Sequence, residues 1–116
     1  MTRTSKSSIT IEKEVEIIGV LAPLHPGEVL REEFLVPLEL SAYSVARACR
    51  VPRTRIERLA REETPMTADT AIRLARFFGT TADFWMGLQI EHDLRSTARG
   101  LRRDISKIVP LREQAA

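Results

Sequence analysis

The chain has 116 residues, 43% of them apolar but only 5% aromatic, so one small core filled mainly by aliphatic side chains is the expectation. Its single cysteine, Cys49, excludes an intramolecular disulfide framework and a cysteine-cluster zinc site, and points to an intracellular, cytoplasmic chain. No secretory pattern opens the sequence, and no apolar run approaches the roughly 18 residues that span a bilayer.

The net charge of +2 is unevenly spread. Residues 28 to 39 carry Glu28, Glu32, Glu33 and Glu39 against Arg31, a balance of −3. Residues 44 to 62 carry Arg47, Arg50, Arg53, Arg55, Arg58 and Arg61 against Glu57 and Glu62, a balance of +4. By charge alone, the basic run is either a solvated face or a surface for a polyanion.

"MTRTSKSS" has nothing to bury and reads as a tail. In "ITIEKEVEI", Ile9, Ile11, Val15 and Ile17 alternate with mostly Glu, the period of a half-buried strand. Such a strand needs a partner, a second copy or another protein's sheet, and otherwise is a loose arm. "APLHPGEVLREEFLVPLELS" predicts a helix started by Pro26 and ended near residue 36 by Pro37, with Val29, Leu30, Phe34 and Leu38 inward. Ser41 caps a second helix whose inward stripe is Val45, Ala46 and Cys49. A third, in "VPRTRIERLARE", turns Ile56, Leu59 and Ala60 inward. Thr67 and Gly79 bound a fourth helix with Ala71, Ile72, Leu74, Ala75 and Phe78 packed. Thr81 caps a fifth that buries Phe84, Trp85 and Leu88. In the tail, Leu101, Ile105 and Ile108 recur at helical spacing among Arg102, Arg103 and Lys107, up to Pro110.

The second and third helices are joined by a few residues around Arg50 to Pro52, which forces a helix-turn-helix. Ala46 lets the two approach, Val51 caps the core side of the bend, and Ile56 and Leu59 anchor the third helix. At about 100 degrees per residue, Thr54, Arg58 and Arg61 fall opposite that anchor, with Glu57 beside them. Arg53 sits at the first turn and Arg55 on a flank. Exposed ion pairs contribute under about 1 kcal/mol each, so a purely solvated face gains little from this array. A major groove uses it directly: arginine donates to guanine, glutamate accepts from cytosine and threonine touches a thymine methyl or a phosphate.

"AYSVARACRVPRTRIERLAR", residues 42–61, resembles the helix-turn-helix of the Cro/C1-type (Xre) repressors, with Ala46, Val51, Ile56 and Leu59 at its structural positions. The wider combination of "HPGE", "REEFL", "TADTAIRLARFFGT" and "FW…LQ…DL", from Leu24 to Leu94, resembles the HigA (VapI-like) antitoxins of toxin–antitoxin operons. The resemblance implies an all-α, five-helix lambda-repressor-like domain over residues 24–96. Outside the resemblance lie an N-terminal extension, 1–23, which by its period-two pattern is either a strand or a loose arm, and a short basic C-terminal extension, 97–116. It implies a homodimeric, autoregulating DNA-binding antitoxin with a palindromic operator and a HigB-like, RelE-type ribonuclease toxin as partner, and no catalytic role for this chain. Arg50 stands where the family usually places glycine, and Ala42 where many relatives carry glutamine. Phosphate contacts then fall to Tyr43, Ser44 and backbone N–H groups.

Two other readings use different surfaces. One is a solitary Xre-family regulator; the other is a protein-binding inhibitor without useful DNA binding, acting through the terminal extensions. His25 and His92 lack metal-ligand spacing and read as a helix-start and a surface residue. No cofactor motif, phosphate-binding glycine loop or nucleophile motif is present. "REEF" reads as solvated carboxylates near the positive end of a helix.

Overall fold

The computed structural model describes residues 24–114, and every regular element among them is helical. The period-two segment at Ile9 to Ile17 lies outside the described residues. Helix α1 (Pro26–Val29) runs into a π-helical segment (Leu30–Leu35). Then come α2 (Ala42–Cys49), α3 (Arg53–Ala60), α4 (Ala68–Phe78), α5 (Ala82–Ser106) and a short α6 (Leu111–Gln114). Leu24–His92 forms one compact unit, and residues from Asp93 onward fall to a second. The tail segment at Leu101 and Ile105 is not a separate helix; it continues α5.

The helix starts are chemically explicit. The Ser41 hydroxyl accepts from the Ser44 N–H at 3.0 Å, Thr67 from Thr70 at 3.3 Å and Thr81 from Phe84 at 3.0 Å. His25 caps α1, its Nδ1 accepting from the Gly27 N–H at 2.8 Å.

The ends of the π segment, α2 and α3 share one device. After α2 the Val51 N–H reaches the Ala46 carbonyl at 3.0 Å and the Arg50 N–H reaches Arg47 at 3.2 Å. This is a Schellman motif, and it puts Arg50 in the left-handed region at φ 62°. The same pair of bonds closes α3, with Glu62 at φ 64°, and the π segment, with Glu39 at φ 55°. Among the described helices only α4 ends on glycine, Gly79 at φ 76°.

Trp85, Leu30, Ile56, Leu59, Leu74 and Val45 are fully buried and define the core. The Phe34 ring packs on Trp85 and Phe78 at centroid distances of 5.0 and 4.8 Å. The Trp85 indole N–H donates to Thr80 Oγ1 at 2.8 Å, and buried Gln89 accepts from the Met66 N–H at 2.6 Å. These two polar atoms are thereby satisfied rather than left as a desolvation penalty.

Three expected core positions fall outside the core. Leu38 is 55% exposed while Leu35 is buried, because the π segment repeats by five: Leu30 and Leu35 share a face, and the 3.6-residue phase is lost before Leu38. Ile72 is 60% exposed and Thr70 takes an inward place on α4. Phe84 is exposed as well, with its ring edge-on to buried Trp85.

Gly27 is where backbone meets backbone. A Cβ there would collide with the Leu59 carbonyl oxygen near the end of α3. Gly27→Ala should therefore push α1 off α3 and destabilise the fold by about 1–3 kcal/mol, read as a fall in the denaturant midpoint. Arg50→Gly should act oppositely. Relief of a left-handed non-glycine residue, offset by glycine's extra chain entropy, should stabilise by ~0.5–1 kcal/mol in the same assay.

Candidate nucleic-acid interface

The bend between α2 and α3 sets the surface. Ala46, 1% exposed, carries the carbonyl that accepts from Val51, and half-buried Val51 packs against the core. Pro52, extended at φ −62° and ψ 144°, then starts α3 without a side-chain cap. Ile56, Leu59 and Ala60 are buried, so α3 is fixed in rotation, and Arg53, Thr54, Arg55, Arg58 and Arg61 are all on the exposed side.

The arginines of this run are not equivalent. Arg53 pairs with Glu57 one turn along at 3.3 Å. Arg55 pairs with Asp69 of α4 at 2.6 Å. Arg58 and Arg61, with Thr54, make no side-chain ion pair or hydrogen bond among the described residues and stand outward. Thr54, Arg55 and Arg58 line one side of an open groove of about 560 Å³, and Thr64, Pro65 and Asp69 line the other.

At the start of α2, Tyr43 is exposed and its hydroxyl accepts from Arg47 at 3.3 Å, which leaves its own proton for another acceptor. Ser44 is differently placed. Its hydroxyl donates to the Ser41 carbonyl at 2.9 Å, so its one proton is already used inside the cap.

Three residues not singled out in the sequence organise this face. Asp69 bridges Arg55 and Arg73, at 2.6 and 2.7 Å, and those guanidiniums, Arg73 first, hold its carboxyl below the usual carboxylate range. Arg73 also donates to the Cys49 carbonyl at 2.9 Å, closing the end of α2. Arg31 donates to the Ala60 carbonyl and to Glu62 Oε2 at 3.1 Å, closing the end of α3. The i, i+4 spacing of Asp69 and Arg73 is legible in the sequence; the bonds that reach α2 and α3 join residues 14 to 31 positions apart.

The remaining candidates settle into structure. Cys49 is buried, its Sγ 3.7 Å from the Arg73 carbonyl, and burial pushes its thiol up. His92 is half-buried rather than superficial, its ring meeting His25 edge-on at 4.9 Å. Among the described residues no group of three or more His, Cys, Asp or Glu side chains could hold a metal ion, and no helix is long and apolar enough to cross a membrane.

No protein-family model matches the chain. Individual relatives do. Virulence-associated protein I of Dichelobacter nodosus is 44% identical over 92 residues, which is 79% of this chain and 84% of that protein. Antitoxin HigA-1 of Vibrio cholerae is 33% identical over 89 residues, 77% of this chain and 84% of that one. The solved structure of Pseudomonas aeruginosa antitoxin HigA with the higBA promoter is 42% identical, with a TM-score of 0.73 over 77% of this chain and 98% of its own. An all-helical body, a bend that turns a basic helix outward and this level of identity over most of each relative converge: the chain belongs to the HigA family of helix-turn-helix antitoxins.

Proposed function

We propose that this chain is a DNA-binding antitoxin that represses its own operon and neutralises a RelE-like ribonuclease toxin by direct binding, without catalysing a reaction itself. It works in the cytoplasm as a homodimer, whose two α3 helices read half-sites about one helical turn apart on a roughly palindromic operator. The observation that carries this reading is the state of α3. Its apolar side is locked in the core while Thr54, Arg58 and Arg61 stand outward without ion partners. The Pseudomonas aeruginosa relative, solved with its promoter, supports it.

Roles follow from what each side chain has free. Arg58 and Arg61 are the base readers, with Thr54 and Glu57 contributing on their flanks. Arg53, at the first turn, joins them after leaving Glu57. Arg55, held on the groove edge by Asp69, suits a phosphate. Tyr43 has a proton to donate to a phosphate; Ser44 does so only by releasing the Ser41 carbonyl.

Fluorescence anisotropy with the DNA upstream of the gene tests this. Arg58→Ala and Arg61→Ala should each weaken operator binding by about 1–3 kcal/mol, and scrambled DNA much less. Wild-type affinity and salt dependence in both variants would remove α3 as the reader. Asp69→Asn should tighten binding and steepen the salt dependence by up to about one counterion, since Arg55 is then no longer shared. An unchanged slope in that variant means Arg55 does not touch phosphate.

A further inference from the structure

The eight residues of α3 are too few to hold a helix in water without tertiary support. The start of α3 has no side-chain cap. The last turn ends on Arg61, which has left helical angles at φ −87° and ψ 4°, and on Glu62 in the left-handed region. That turn carries both Arg58 and Arg61. Beyond its own backbone bonds and the burial of Leu59 and Ala60, one polar side chain from another part of the fold reaches it. The Arg31 guanidinium, on the π segment, donates to the Ala60 carbonyl, to Glu62 at 3.1 Å and to Glu32 at 2.9 Å. The two carboxylates push the guanidinium's pKa further up, so it stays charged. Beside it, the Gly27–Leu59 approach fixes how far α1 stands from α3.

We infer that Arg31 is a positioning residue for operator recognition: it clamps the carboxyl end of α3 and so aims Arg58 and Arg61, without touching DNA. The inference rests on the reading of α3 as the DNA reader. The physical basis is the C-terminal dipole of α3 together with the Ala60 carbonyl and the Glu62 carboxylate, which attract a cation that can bond in two directions at once. A planar guanidinium does this; an ammonium is one point charge and cannot reproduce the fork. Arg31 also lies at the opposite end of α3 from Arg53, where the first turn begins.

A positioning role separates from the two alternatives by what it leaves alone. A phosphate contact would carry salt dependence. A merely structural role would lower operator and scrambled-DNA binding together, in step with the unfolded fraction.

The experiment compares the wild type, Arg31→Ala, Arg31→Lys and Glu62→Gln in operator and scrambled-DNA titrations across a salt series, well below each melting midpoint. Arg31→Ala should weaken operator binding about tenfold, as much as losing one bidentate base contact, with scrambled-DNA affinity and salt slope unchanged. Arg31→Lys should recover part of the discrimination but not all of it. Glu62→Gln is a surface change that keeps a hydrogen-bond acceptor, and it should lose about threefold of the discrimination by weakening the charge-assisted bond. That variant decides the matter if Arg31→Ala does not fold. Undiminished discrimination in Arg31→Ala, or in Glu62→Gln where Arg31→Ala fails to fold, overturns the inference. So does a salt slope lower by about one, which would make Arg31 a phosphate contact. If the wild type itself shows no preference for the operator, the DNA-reading assignment of α3 fails instead.

Discussion

The arrangement depends on how the end of α3 is held. At eight residues, its helical state is borrowed from neighbours: the core takes Ile56, Leu59 and Ala60, while Gly27 and Arg31 meet the last turn from outside. Burial of three apolar residues fixes rotation about the helix axis but says little about slide or tilt. Those are fixed by a backbone-to-backbone approach, which only glycine permits, and by a guanidinium seated on a carbonyl. Once both are in place, the outward direction of Thr54, Arg58 and Arg61 follows without any interaction of their own.

The same solution appears twice. Arg73 of α4 donates to the Cys49 carbonyl at the end of α2, as Arg31 donates to Ala60 at the end of α3. Each guanidinium is backed by acids: Asp69 behind Arg73, Glu32 and Glu62 behind Arg31. Both helices of the helix-turn-helix therefore end on a cation supplied by a neighbouring element, at the pole where the helix dipole is negative. This separates several arginines around the helix-turn-helix by their partners. Arg31, Arg55 and Arg73 are engaged by acids on other elements or by carbonyls. Arg58 and Arg61 remain open for an external anion.

The sequence exposed most of this, and the gaps have definite causes. Caps at Ser41, Thr67, Thr81 and Gly79 are local chemistry and stand where the sequence places them. The inward stripes of α2 and α3 follow the helical period and are buried as expected. Leu38 was out of reach because no residue pattern announces a π segment, and its five-residue repeat shifts everything after Leu30. Ile72 and Phe84 are apolar positions in excess of what the Leu24–His92 core can cover, and periodicity does not rank them against Thr70 or Gln89. Arg31 reads as a lone cation in an acidic stretch; its role needs Ala60 and Glu62, about thirty residues away, to be brought beside it. For the face itself, the phase of α3 separated inward from outward residues. It also set Arg58 opposite the anchor and Arg55 on a flank, but it could not show that Asp69, 14 residues on, engages Arg55.

Among the described residues, three of the four helix ends with a left-handed residue carry a charged side chain where glycine would sit without strain. At roughly 1–2 kcal/mol each, before glycine's own entropic penalty, this is a sizeable share of the 5–15 kcal/mol that holds a typical domain. For Glu62 the structure gives the reason. Glycine there would relax the backbone and delete the carboxylate that receives Arg31, freeing the end of α3 that the clamp restrains. Arg50 follows the same logic with the opposite sign: its strained backbone adds an exposed guanidinium at the bend, beside the uncapped start of α3. Local strain in the turn is thus accepted where the side chain sets the charge or the aim of the helix. Among the described helix ends, only at Gly79, between α4 and α5, where a side chain would meet open space, does the chain take the relaxed residue.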